Sequence, residues 1–352
     1  MRPTLKDVAK ATGLDVSTVS RALSGDTTRR VGERNKQRAI AAAEELGYAP
    51  HRAARALRTG RYHSIAFVLV GPTLREQLDP PFLRFRLYGA EEVLSARGYL
   101  LSLHRLPAGG PGTERAGVAG WDHADALLLN WHGPSAEGLA LIRGAGCPVA
   151  LTDDDIFAES GGKVTCVLSD REGGVRQAIA HLVKLGHRRI ALVNAEGNIR
   201  RLAGYLRGLS EHAVPVDPRL MKTWVAEGSP LPTGRRGGYR LTKELLAEKV
   251  PFTAVQAGSD YTAAGVIDAL QEAGLRVPED VAVVGFDDVD SMGLSPFREP
   301  FLTTLREPGY EIGERAARLL LAQIEEGAEP QRLVLPMQLI VRASCGARRQ
   351  GD

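Results

Sequence analysis

The sequence predicts an α/β protein, in which an N-terminal all-α helix-turn-helix head precedes a body of parallel sheets flanked by helices. Residues 1–60 carry apolar side chains at helical spacing between capping and stop signals. From Ser64 onward, short apolar runs alternate with amphipathic stretches, as in buried parallel strands with covering helices. Charge divides the chain similarly, because residues 1–61 contain 13 Lys/Arg and 6 Asp/Glu, and the remainder contains 32 and 36. A basic head suggests a polyanionic partner, although a solvated helical surface has the same composition.

Three helices are predicted in the head. A T-x-x-D capping box at Thr4 begins the first helix, which ends at Gly13. The second helix follows Asp15 and ends at Gly25, and the third runs over 34–46. Two helices joined by a short turn at a glycine indicate a helix-turn-helix.

The body is predicted to contain two similar α/β lobes, because its strand and helix series is too long for one sheet. The lobes are expected to divide near 155–163, around the segment IFAESGGKV (156–164). The predicted strands are 65–70, 99–104, 126–131, 148–152, 164–169, 189–194, 253–258 and 281–286, and the helices lie near 83–97, 136–144, 171–185, 200–212, 235–248 and 261–273.

Composition excludes several classes of protein. A chain of 352 residues with 43% hydrophobic and 25% charged residues is typical of a globular protein of two or three domains. It has no apolar run long enough to span a membrane and no secretory signal, so we expect a cytoplasmic protein. The three cysteines, Cys147, Cys166 and Cys345, match no disulfide framework or zinc spacing, and no cofactor is expected.

Blocks of sequence in both parts of the chain resemble the LacI/GalR-type bacterial transcription regulators. They are TLKDVAKATGLDVSTVSRALSG (4–25), AAAEELGYAP (41–50), ARALRTGR (54–61), GHRRIALV (186–193) and VPEDVAVVGFDD (277–288). The resemblance implies a DNA-binding head over 1–50, a hinge helix over 51–61 and a dimeric sensor body over 62–352. That body would be similar to a periplasmic sugar-binding protein, and its chain would return to the first lobe after about 288.

Such a head places its second helix in the major groove of an operator. Val16, Ser17 and Arg21 are then the expected base-edge contacts, and Arg21 can donate two hydrogen bonds to guanine. Phosphate contacts are expected from Thr4, Thr18 and Ser20, although Thr18 and Ser20 are equally consistent with surface hydroxyls.

The hinge helix is expected to contact the minor groove. The resemblance places Leu57 where the family inserts an apolar wedge between base steps, and Ala54 lies on the same segment. Packing of Leu57 against its own body or its dimer mate is the alternative. That alternative is less favoured because cations surround Leu57, namely Arg52, Arg55 and Arg58.

The effector site is expected at the carboxyl ends of the strands, where open α/β folds bind ligands. Motif matching selects Asp153, Arg201, Asp260 and Asp287, whose charged groups suit the hydroxyls of a sugar. For Asp260, helix capping explains the residue equally well.

The resulting prediction is a repressor that binds a palindromic operator as a dimer under the control of a small polar effector, expected to be a sugar. A homodimer is expected rather than a tetramer, because no leucine heptads occur in the final segment LIVRASCGARRQGD. Two alternatives stay open: a ligand or a partner protein could act as a corepressor, or the protein could activate transcription. A sugar-binding protein without a DNA role is disfavoured by the basic head. An enzyme that uses Asp153-Asp154-Asp155 is also disfavoured, because no base, orienting group and stabiliser converge.

Overall fold

A computed structural model describes most of the chain, and the chain divides into two compact units. The smaller unit contains Met1–Ser64 with His123–Asp125, and the larger unit contains the rest. The described residues are 3–24, 31–48, 60–70, 81–106, 121, 123–130, 139, 142–194, 198–223 and 234–347.

The helices and strands are numbered in chain order over these residues. The helices are α1 (Leu5–Thr12), α2 (Val16–Ser24), α3 (Glu33–Glu45), α4 (Pro81–Ala96), α5 (Arg171–Lys184), α6 (Ile199–Glu211), α7 (Gly234–Ala247), α8 (Asp260–Glu272) and α9 (Gly309–Glu326). The strands are β1 (Ser64–Val70), β2 (Leu100–Leu106), β3 (Ala126–Asn130), β4 (Val149–Leu151), β5 (Thr165–Ser169), β6 (Ile190–Asn194), β7 (Met221–Thr223), β8 (Ala254–Ala257), β9 (Ala282–Val284), β10 (Thr304–Arg306), β11 (Arg332–Leu335) and β12 (Gln338–Ile340).

The head is a three-helix unit, as predicted. α1 ends at Gly13, whose φ of 63° is the left-handed conformation that glycine adopts without strain. Val8, Val19 and Ala39 contribute one side chain from each helix to a small apolar core, and all three are fully buried. The helix-turn-helix of α1 and α2 is therefore fixed by packing against α3.

The first lobe of the body is a sheet with the strand order β11-β5-β4-β3-β1-β2 over the described residues. β1 and β3 pair in parallel, as do β3 and β4, β4 and β5, and β5 and β11. α4 and α9 pack together on this sheet, and their apolar side chains share one core with Phe67, Leu128 and Val167. All the parallel strands end at one edge, so the residues that follow them are neighbours.

The second lobe has a parallel sheet of order β7-β6-β8-β9, which β10 extends through bridges from Thr303 to Val284 and from Arg306 to Asp287. α5 and α6 pack against this sheet with one apolar core, and α7 and α8 pack with another. β12 pairs antiparallel with β10.

The chain passes between the lobes later than predicted. The expected division near 155–163 is wrong, because β5 pairs with β4 in the first sheet and the chain leaves that sheet only after Ser169. The return of the chain to the first lobe also lies beyond residue 288. β10 still belongs to the second lobe, and α9 is the next element of the first lobe. A third passage follows β11, since β12 pairs with β10. The loop IFAESGGKV therefore connects two strands of one lobe.

Glycines let the helices approach closely beside the strand ends. A Cβ added at Gly313 in α9 would overlap the backbone carbonyl of Arg86 in α4, and one at Gly204 in α6 would overlap the carbonyl of Glu172 in α5. These contacts hold the backbone of Arg86 and the start of α5 in fixed positions. No helix within the described ranges is long and apolar enough to cross a membrane.

Candidate DNA-binding and effector sites

The predicted base-edge residues lie on the outer face of α2. Val16 is 41% exposed and Ser17 is exposed, whereas Val19 and Ala22 form the inner face. Arg21 folds back along the helix, where its Nε donates to the Ser17 carbonyl at 3.0 Å and its Nη2 lies 3.4 Å from the Ser17 Oγ. The structure thus brings Val16, Ser17 and Arg21 together on one accessible surface.

The predicted phosphate contacts are also at the surface of the head. Thr4 is exposed, and Thr18 and Ser20 are half-buried. The Thr4 backbone N–H and hydroxyl both donate to Asp7 at 2.7 Å, and the hydroxyl bond is the main cause of a lowered pKa for that carboxyl. The predicted hinge contacts all lie outside the described residues, namely Arg52, Ala54, Arg55, Leu57 and Arg58.

Two of the predicted effector residues meet in the second lobe. Asn198 accepts hydrogen bonds from the backbone N–H groups of Arg200 and Arg201, so it caps the start of α6. The Arg201 guanidinium lies over the Phe286 ring at 3.9 Å, donates to the Gly258 carbonyl and lies 3.8 Å from Asp287. The Arg201 and Asp287 side chains are each 11% exposed, which leaves part of both accessible to a ligand.

The turn after β9 holds Asp287 in a strained conformation. Its φ of 108° is rare for any residue with a side chain, and such strain concentrates at binding sites. The next carboxylate, Asp288, is fully buried and accepts hydrogen bonds from Arg306 and Arg342 at 2.6 Å each. These two cations hold the turn, so Asp287 is positioned by its neighbour's ion pairs.

Asp260 does not belong to this group. Its carboxylate accepts the Val289 backbone N–H at 2.8 Å and the Thr304 hydroxyl at 2.5 Å, and the residue is only 1% exposed. The predicted effector contact is therefore unsupported by the geometry. The capping alternative is also wrong, because Ser259 caps α8 by accepting the Thr262 N–H. Burial raises the pKa of Asp260 to about 7, although the bonds from Thr304 and Val289 oppose that change.

The fourth predicted effector residue, Asp153, follows β4 in the first lobe. Arg171, the first residue of α5, donates to its Oδ1 at 2.5 Å. Since α5 packs in the core of the second lobe, this ion pair joins the two lobes. The Asp153 and Arg171 side chains are 11% and 10% exposed.

A buried arginine that the sequence analysis missed adjoins this pair. Arg86 on α4 is 0% exposed, and its Nη2 donates to both oxygens of Glu307 at 2.9 and 3.0 Å. Its Nη1 donates to Asn130 at the end of β3, at 2.8 Å. Ser169 at the end of β5 donates to Glu307 at 2.6 Å. The only available signal was an arginine between apolar residues of the FLRFRLYG segment.

Electrostatics connect the two groups of charges. Burial alone would raise the pKa of Glu307, yet Arg86 and Arg171 hold it below its ordinary value. The pKa of Arg171 is raised despite burial, and Asp153, Glu307 and Asp287 are the carboxylates that raise it. Asp287 is therefore close enough to Arg171 to act on its charge. We call the paired residues Arg86, Asp153, Arg171, Arg201, Asp287 and Glu307 the interlobe site.

The acidic triplet considered for an enzyme is divided between different partners. Asp153 pairs with Arg171, whereas Asp155 pairs with Arg332 at 2.7 Å and lies 3.9 Å from Arg200. No group of three potential metal ligands occurs within the part of the chain that the structure describes.

Comparison with known proteins decides the family. Residues 4–51 match the model for bacterial regulatory proteins of the lacI family, and residues 179–345 match a periplasmic binding protein-like domain. The HTH-type transcriptional regulator CelR of Thermobifida fusca is 33% identical, over 97% of this chain and 98% of that protein. The chain belongs to the LacI family of bacterial regulatory proteins.

Other relatives agree with this assignment. The ribose operon repressor of Escherichia coli K12 is 31% identical to this LacI-family chain, over 97% of it and 99% of the relative. The solved structure of a transcriptional regulator CelR–cellobiose complex superimposes with a TM-score of 0.70 at 30% identity, covering 97% of this chain and 100% of that one. The predicted family and fold class are confirmed, and the protein is a DNA-binding transcription regulator.

Proposed function

We propose that this LacI-family regulator is a repressor that binds a palindromic operator as a homodimer, and that a sugar in the interlobe site controls its affinity for that operator. It acts in the cytoplasm, where its operator DNA lies. The observation that carries the effector proposal is the partly exposed Arg201–Asp287 pair beside the interlobe pair of Arg171 and Asp153.

The DNA-binding part of the proposal rests on α2. Val16 offers an apolar contact to a thymine methyl group, and Arg21 offers two donors to guanine. In the free protein the Arg21 guanidinium bonds to Ser17. Binding therefore exchanges an intrahelical bond for base contacts, and Ser17 becomes available to the DNA at the same time.

The effector part rests on a mixture of donors and acceptors. Guanidinium and carboxylate groups form strong charge-assisted hydrogen bonds with hydroxyls. The Phe286 ring is buried under the Arg201 guanidinium at 3.9 Å and helps to hold it in position. Such a site suits a sugar, which presents several hydroxyls to the charged groups.

The switch follows from the position of the pairs. A ligand shifts an equilibrium between two conformations only if it binds one of them more tightly. A sugar that reaches Asp153 in the first lobe and Asp287 in the second contacts both lobes, and it competes with Arg171 for the Asp153 carboxylate. Its binding therefore favours one arrangement of the lobes over another.

The homodimer part rests on apolar side chains at one edge of the first lobe. Tyr88 on α4 and Leu100 and Leu103 on the edge strand β2 are 55%, 46% and 42% exposed. Two copies that pair through this edge are related by a two-fold axis, so the operator should have matching symmetry.

The test is selection of genomic DNA fragments by the purified protein, with and without a panel of sugars that includes cellobiose and ribose. We expect enrichment of palindromic fragments and a change of affinity with at least one sugar. Equal affinity for fragments of every sequence would contradict the proposal that the protein binds a specific operator. Turnover of a sugar by the protein would favour an enzyme instead.

A further inference from the structure

The charges of the interlobe site are matched in pairs. Arg86 pairs with Glu307 at 2.9 Å, Arg171 with Asp153 at 2.5 Å, and Arg201 with Asp287 at 3.8 Å. Among the described residues that form the site, three cations thus meet three anions, so the charges of these six residues balance.

Because the six side chains are buried, the balance of their charges affects which ligands can bind. The six side chains are at most 11% exposed, and Arg86 and Glu307 are 0% and 2% exposed. Water therefore screens them little, and an additional unpaired charge is costly in such surroundings. A carboxylated or phosphorylated sugar would add a negative charge for which these six residues hold no further cation, whereas a neutral sugar adds only hydrogen bonds.

Glu307 occupies the central position in the balance. It binds Arg86 with both oxygens and lies 3.6 Å from Arg171, so one carboxylate faces two guanidinium groups. The Ser169 hydroxyl fixes its orientation. Removal of this single charge would leave the site with one excess positive charge between two arginines, which is a suitable place for an anion.

We propose that the effector is an uncharged sugar, and that Glu307 enforces this selectivity by neutralising Arg86 and Arg171. The inference rests on the proposed sugar-binding function of the interlobe site. It adds a charge requirement to that function and names the residue that imposes it.

The experiment compares matched neutral and anionic sugars by calorimetry on the full-length protein. The pairs are glucose and glucuronate, cellobiose and cellobionate, and ribose and ribose 5-phosphate. The proteins are the wild type, Glu307→Gln and the double variant Arg86→Gln/Glu307→Gln, which removes one charge of each sign. Circular dichroism establishes that each variant is folded.

We expect the wild type to bind the neutral member of a pair more than about tenfold tighter than its anionic partner. Glu307→Gln should reduce or reverse that preference, and the double variant should restore it. A wild type that prefers the anionic member overturns the charge requirement but leaves a sugar effector in place. Binding of no member by any of the proteins overturns both proposals.

If Glu307→Gln does not fold, the wild-type comparison still decides the charge requirement and the double variant decides the role of Glu307. A folded double variant that prefers the anion would contradict that role. A folded Glu307→Gln protein with an unchanged preference would contradict it equally.

Discussion

Of the proposed effector contacts, Arg201 and Asp287 have the clearest geometry. We expect Arg201→Ala and Asp287→Ala each to weaken sugar binding by about 1.5–3 kcal/mol, the contribution of a hydrogen bond to a charged group. Calorimetry with the sugar that changes operator affinity measures the loss. Arg207→Ala is the matched control, because Arg207 lies on the same helix with a 64% exposed side chain. Unchanged sugar affinity in a folded Arg201→Ala protein would remove Arg201 from the site.

Arg21 is the corresponding proposed contact in the head. Arg21→Ala should lower specific operator affinity by about 1–3 kcal/mol and relax the preference at one base pair, since a bidentate guanine contact is lost. Gel shifts with the selected operator and with single-base variants check this. Arg97→Ala, a change at an exposed arginine of the body, is the control. A uniform loss over all sequences would instead identify Arg21 as a phosphate contact.

Asp260 should make the stability of the body depend on pH. Its pKa of about 7 lies above the ordinary 3.8, so the folded protein holds a proton that the unfolded chain has released. The stabilisation from this group is complete below about pH 4 and is lost as the pH rises through about 7.

An amide at position 260 stays neutral, and it can accept from Val289 and donate to Thr304. We therefore expect Asp260→Asn to gain about 1–3 kcal/mol of unfolding free energy relative to the wild type between pH 5 and pH 8. Urea unfolding at both pH values measures the difference. Asp280→Asn is the control, because the pKa of Asp280 is about 2 and its charge is constant over this range. A difference that does not vary with pH would show that Asp260 is ionised throughout.

At the level of elements, the packing of α4 against α9 determines where Arg86 lies. Gly313→Ala should lower the unfolding free energy by about 1–3 kcal/mol, because the added Cβ would overlap the Arg86 carbonyl and force the helices apart. Urea unfolding monitored by circular dichroism tests this. Arg315→Ala on the exposed face of the same helix should cost only about 0.5 kcal/mol, as expected for a surface ion pair. Equal effects of the two changes would contradict the close approach.

Most central elements were predictable because each combines a continuous apolar run with clear end signals. α5 and α6 lie within a residue or two of their predicted bounds, and so do β5 and β6. By contrast, β10 and β12 contain three residues each, too few for a periodic pattern, and they exist because they pair with each other. Such elements depend on tertiary contacts that local sequence does not encode.

The same distinction separates the site residues. Arg201 and Asp287 follow predictable strands, so their place at the sheet edge could be deduced. Arg86 lies within an amphipathic helix, where an arginine ordinarily indicates the solvent face. Its burial depends on Glu307, which follows the unpredicted strand β10.

At the level of the whole molecule, we expect a homodimer by light scattering at micromolar concentration. Leu103→Glu should shift it towards monomer and weaken operator binding, because a charge would be buried in the proposed apolar interface. Leu185→Glu is the control, since Leu185 is similarly exposed but lies in the second lobe. A wild-type tetramer or monomer would contradict the proposed homodimer. A Leu103→Glu protein that remains a dimer would contradict the proposed interface.

The three passages between the lobes also affect the order in which the protein can fold during synthesis. The second sheet has all of β6 to β9 once residue 284 has emerged from the ribosome, whereas the first still lacks α9 and β11. Domains ordinarily fold from the N-terminus as they are made, but here the sheet that begins first is completed after the four parallel strands of the second sheet. A nascent chain that stops before Gly309 leaves one edge of β5 unpaired and the apolar face of α4 uncovered, so premature termination should yield an aggregation-prone product.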